Sequence, residues 1–131
     1  MPSNKSFING FAPAIVWWLI VLVLMCTPGY DLPKLGDWTE LISLDKLVHI
    51  IIFGLMAYLF MRPVAKRDNE PSAKKNYFLK IAIAISIWGI TTEFIQQFWI
   101  PGRSFDLWDW AADTIGASIA FFISKKRLAR S

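Results

Sequence analysis

The chain has a single cysteine, Cys26, and a single histidine, His49, among 131 residues. The lone thiol excludes an intrachain disulfide and reads as a small apolar packing residue. The lone imidazole excludes the paired-histidine helix spacings of metal hydrolases. Repeats and low-complexity tracts are absent. No small-x-small cleavage site follows the first apolar stretch, and Met25 stands before Cys26 where a lipoprotein signal wants a small residue. That stretch therefore reads as a retained helix rather than a cleaved signal peptide. The basic tail is short and lacks interleaved aromatics, so a nucleic-acid partner is not expected.

What the chain has in quantity is apolar side chains. They make up 55% of the residues and fall into long blocks, with a mean hydropathy of +0.42. A soluble domain of this length mixes polar and apolar residues more finely. Four blocks stand out, at residues 11–26, 45–61, 78–100 and 107–124. A hydrocarbon core needs about 17 to 25 helical residues per crossing. The expected fold is all-α: one membrane domain over residues 1–131, built as a compact bundle of four transmembrane helices. Pro28-Gly29 stops the first helix, Pro63 ends the second, and Pro101-Gly102 turns the third into the fourth. Residues 62–76 read as a polar loop, and residues 30–44 as an interfacial connector or partial lid.

Lysine and arginine set the orientation. Arg62, Lys66, Arg67, Lys74 and Lys75 lie between the second and third blocks, with Lys80 at the start of the third, and Lys125, Lys126, Arg127 and Arg130 form the tail. Short loops rich in these residues stay in the cytoplasm, which places both termini there. The net charge of +4 is thus mainly a topology signal. Asp31, Asp37, Glu40, Asp45, Glu93, Asp106, Asp109 and Asp113 then fall on the outer side, and Trp99, Trp108 and Trp110 mark the interface there. Trp17 and Trp18 fall mid-block and read as packing or lipid-facing rings.

Spacing gathers the polar residues into stripes. Asp45 and His49 are four apart, as are Glu93 and Gln97, while Asp106, Asp109, Asp113 and Gly116 step by three, four and three. Each stripe sits at the outer end of its helix, and ionisable groups there are costly unless paired or functional. Three such ends enclose a polar chamber, with Arg103 as the expected counter-charge and Lys46 snorkelling outward. Gly116, with Gly54 and Gly89, allows close helix approach beneath it.

The strings DKLVHIIIFGLMAYLF and ITTEFIQQFWIPGRSFDLWDWAADTIGA resemble the VanZ-like family of small integral membrane proteins. The matching elements are an Asp-Lys-x-x-His opening (Asp45, Lys46, His49), a Glu-x-x-Gln-like element (Glu93 with Gln96 or Gln97), an Arg-Ser-x-Asp turn (Arg103, Ser104, Asp106) and an Asp-x-x-x-Asn-x-x-Gly element (Asp109, Asp113, Gly116). Asp113 departs from that pattern, which usually has Asn. The resemblance implies a multi-pass protein of the bacterial cytoplasmic membrane without defining a reaction. Its founding member is associated with resistance to the glycopeptide teicoplanin.

Three functions suit these residues. The first is binding an anionic envelope lipid or lipid-linked glycan, with Arg103, Ser104, Gln97, Asp106, Asp109 and Asp113 as the contacting set. The second is catalysis on such a substrate, with His49 beside Asp45 or Glu93 as general base. The third is structural, the cluster holding the helices in register. No metal or other cofactor is called for, although a divalent cation bridging carboxylates and phosphate relieves their repulsion.

Overall fold

The computed structural model describes residues 4–28 and 38–130, with side chains for 4–28 and 44–128. Its described residues form five α-helices: α1 (Asn4–Asn9), α2 (Ala12–Met25), α3 (Trp38–Ala65), α4 (Pro71–Trp99) and α5 (Leu107–Arg130). Pro13 fits the first turn of α2, where its missing N–H costs nothing, and Pro71 opens α4 in the same way. The α2 chain leaves the helix at Cys26, where the Thr27 hydroxyl donates back to the Val23 carbonyl at 2.8 Å.

The helices outrun the apolar blocks. Hydropathy marks only the part of a helix facing hydrocarbon, whereas the backbone ladder continues through polar turns. Thus α3 starts at Trp38, and the anticipated 30–44 connector becomes helical from that point. Residues 29–37, with Asp31 and Asp37, lie outside the described residues, as does the Glu40 side chain. Pro63 sits inside the last turn of α3 rather than ending it. The polar loop shrinks to residues 66–70, and Lys74 Nζ ties the start of α4 to the Ala65 carbonyl at 3.1 Å.

Helix α5 packs most extensively on α3, then on α4, with α2 on the periphery. The α3–α5 crossing is set by glycine: a Cβ on Gly116 would stand 2.8 Å from Gly54 N and closer still to the Ile50 carbonyl. Absent side chains let two backbones approach to van der Waals contact, which suits association in lipid. Phe53, Met56, Ala57, Met61, Phe78, Ile85, Ala117 and Ala120 fill the core. Trp17 and Trp18 attach α2: the Trp17 indole donates to the Ile52 carbonyl at 3.0 Å, and Trp18 lies 5.4 Å from Trp88, ring to ring.

Outside, the polarity is inverted relative to a water-soluble protein. Leu19, Val23, Leu47, Ile51, Ile83, Ile87, Ile115 and Phe122 are exposed, while a histidine, two aspartates, a glutamate and a glutamine are buried. Among the described residues, three segments are long and apolar enough to cross a membrane: Asn4–Met25, Leu44–Ala65 and Pro71–Trp99. Helix α5 has the length, about 36 Å at the usual rise, but acids in its first turns and bases in its last lower its hydropathy.

Candidate functional site

The site lies where the start of α3, the end of α4 and the start of α5 meet. Asp106 is the N-cap of α5; its Oδ1 accepts the Trp108 N–H at 2.9 Å. Its own N–H donates to Glu93 Oε2 at 3.0 Å, which fixes the tip of α4 to the start of α5. Asp109 follows in the first turn, where the helix dipole favours negative charge. The turn before them is a tight one: Arg103 N–H donates to Ile100 O at 3.3 Å, and Gly102 takes a φ of 74° that a side chain resists.

Lys46 is the cation of this cluster. Its Nζ lies 2.8 Å from Asp106 Oδ2 and 3.5 Å from Asp45 Oδ2, and it also bonds Asp109 Oδ1. The outward snorkelling expected of Lys46 does not occur, because three carboxylates offer a better partner than the interface. Its spacing of three from His49 was the available signal, since residues three apart share a helix face. Burial favours the neutral form of Asp106, but the Lys46 ammonium and the Trp108 N–H outweigh it and hold the acid below its ordinary range.

Deeper in, His49 is 2% exposed and stacks on Phe53. Its Nδ1 lies 2.7 Å from Asp113 Oδ1. Asp113, the acid standing where the resembled family usually has Asn, is thus the histidine's partner. Its other oxygen, Oδ2, lies against Gly89 of α4, where a Cβ would come within 2.8 Å. Asp113 Oδ2 and Glu93 Oε1 are buried without a hydrogen-bond partner among the described residues.

The structure therefore brings together Asp45, His49, Glu93, Asp106, Asp109 and Asp113 from the anticipated set. Arg103 is the departure. Its Nε donates to the Thr27 carbonyl at 3.1 Å and a terminal nitrogen to the Leu24 carbonyl at 3.2 Å, so it caps α2 instead of balancing the carboxylates. The last carbonyls of any helix lack intrahelical donors, and α2 ends beside the turn. Gln97 is exposed and accepts the Phe105 N–H at 2.7 Å, while Ser104 is exposed in the turn. Gln96, not Gln97, is the buried amide; its nitrogen donates to the Met25 carbonyl at 3.1 Å.

Chemically, the arrangement is a histidine with one nitrogen held by a carboxylate and the other facing two more. Lys46 is a single ammonium amid five carboxyl groups. Such a set suits proton transfer or cation binding.

Apolar helices turned outward and polar groups sequestered at one end fit a helical membrane protein. The VanZ/LLP1 family matches residues 6–129, and the chain belongs to that family. No curated protein and no solved structure matches it.

Proposed function

We propose that the chain crosses the bacterial cytoplasmic membrane four times, both termini inside, and that its polar cluster engages the headgroup of an anionic envelope lipid or lipid-linked cell-wall intermediate at the outer face. The distribution of lysine and arginine supports the orientation. Exposed Trp99 and Trp108 beside the 100–106 turn support placement of the cluster at headgroup level.

The observation that carries the reading is the pair of orphaned oxygens. A network serving only to register helices would satisfy its members, since a half-satisfied buried network costs stability. This one leaves Glu93 Oε1 and Asp113 Oδ2 buried and unpartnered among the described residues, in a group with His49. Unpartnered acceptors in a cluster that also holds the Lys46 ammonium suit a ligand that brings both hydroxyl donors and a phosphate. The His49–Asp113 pair favours a second, catalytic version, in which Nε2 acts as general base on that ligand and Asp113 orients the ring.

The test is mass spectrometry of lipid retained by the full-length protein in detergent. Wild type is expected to retain an anionic or glycan-bearing lipid above its share of the bulk membrane. Lys46→Gln should lose it, while Lys74→Gln, at the other end of the bundle, should not. Wild-type lipid of bulk composition overturns the reading.

A further inference from the structure

We propose that His49 Nε2, Asp45 and Asp109 form a binding site for one divalent transition-metal ion. The histidine tautomer sets which ring nitrogen is free to bind. Asp113 Oδ1, 2.7 Å from Nδ1, accepts a proton carried there, which leaves the Nε2 lone pair free. Nε2 faces Asp109 Oδ2 at 3.7 Å and Asp45 Oδ1 at 3.8 Å. These separations are too long for hydrogen bonds. They suit ligands sharing an ion: metal bonds of about 2.0–2.2 Å place tetrahedral ligand atoms roughly 3.3–3.6 Å apart. One ligand atom from each of the three residues lies within 4.8 Å of the other two.

Lys46 holds the carboxylates from behind. It takes Asp45 Oδ2 and Asp109 Oδ1, so one oxygen of each acid is spoken for and the other turns toward the imidazole. The order Asp113, His49, ion is the carboxylate–histidine–metal chain that fixes ring orientation in metal sites.

An independent observation points the same way. Glu93 and Asp113 are fully buried, each keeps one oxygen without a partner among the described residues, and each brings a carboxylate oxygen within 4.8 Å of a His49 ring nitrogen. Buried unpaired carboxylates are costly when ionised, and a nearby divalent charge offsets that cost. An imidazole with two carboxylates selects zinc or manganese over calcium or magnesium, which take all-oxygen sets. Three protein ligands leave a position open to water or to a phosphate oxygen. The inference thus deepens the headgroup reading, on whose site it rests.

The experiment uses full-length protein purified in detergent through a tag without histidine. Metal content is measured by inductively coupled plasma mass spectrometry after equilibration with zinc or manganese, and thermal unfolding is followed with each ion. Wild type is expected to hold about one ion per chain and to unfold at higher temperature with it. Asp45→Asn and Asp109→Asn should weaken uptake tenfold or more. Asp45 is 45% exposed, so its variant reports on binding in a folded protein. Asp113→Asn keeps an acceptor for Nδ1 and should retain the ion with about 10- to 100-fold lower affinity. Asp68→Asn, in the 66–70 loop, should change nothing. Absence of bound metal in wild type, or uptake indifferent to Asp45→Asn and Asp109→Asn, overturns the inference. A protein that retains lipid but no metal rejects the ion and leaves the headgroup reading intact; metal without enriched lipid does the reverse.

Discussion

Adding one methyl group at each of three glycines separates packing from site chemistry. At Gly116 the new Cβ meets backbone on every side: Gly54 N at 2.8 Å, Ile50 C at 3.1 Å and the Ile50 carbonyl oxygen nearer still. Backbone cannot swing aside, so α3 and α5 must separate. Overpacking costs about 1–3 kcal/mol, and this contact belongs at the upper end. Alanine recovers about 1 kcal/mol of helix propensity. The net loss for Gly116→Ala is then about 2 kcal/mol, roughly a 30-fold shift in the folding equilibrium. Gly54→Ala meets the Gly116 carbonyl at 3.1 Å and its carbon at 3.4 Å, a fit that small shifts relieve. Its cost and its propensity gain nearly cancel, within about 0.5 kcal/mol. Gly89→Ala strikes a side chain instead, Asp113 Oδ2 at 2.8 Å and Cβ at 3.0 Å. It should leave the fold largely intact while pushing Asp113 off His49, and so impair ligand retention more than stability. Unfolding in mixed micelles, followed by tryptophan fluorescence, measures all three. A Gly116→Ala protein as stable as wild type refutes the crossing described above.

Other expectations concern the turn between α4 and α5. Asp106 is held below its ordinary range in the folded protein, so its pairing with Lys46 stabilises the fold above the unfolded-state value and is lost as pH falls through the folded one. Wild type should therefore exceed Asp106→Asn in stability near neutrality, and the gap between the two should narrow as acid protonates the folded carboxylate; a gap that does not shrink with falling pH contradicts this pairing. Arg103→Ala removes two charge-assisted hydrogen bonds to the end of α2 and, at a half-buried site, should cost about 1–2 kcal/mol. An unchanged melting temperature for that variant argues against the cap.

The helices were legible because they contain such long apolar stretches, and the convergence of Asp45, His49, Glu93 and Asp113 followed from spacing together with the position of each stripe at the same end of its block. Helix ends were not, since the polar turn 71–77 carries no hydropathy signal yet continues the ladder, and the amphipathic stretch 38–44 reads equally well as a surface connector. Lys46 and Arg103 exchanged their anticipated places for a related reason. Long flexible cations choose the nearest strong acceptor, and that choice depends on which helix end abuts which turn. Neither the distance from Arg103 to the last carbonyls of α2 nor the inward rotation of Lys46 is encoded in periodicity. Gln96 was missed beside Gln97 because adjacent residues differ by 100° around the helix, and only packing decides which faces α2.

The orientation of the cluster is the claim on which the functional account depends, and cysteine labelling in intact cells tests it most directly. In a Cys26→Ala background, Ser104→Cys reports on the exposed turn beside the cluster, and Asn69→Cys reports on the 66–70 loop at the opposite end. A membrane-impermeant maleimide should label Ser104→Cys in whole cells and Asn69→Cys only after permeabilisation. The reverse pattern would turn the acid–histidine cluster toward the cytoplasm and contradict an outer-face headgroup site.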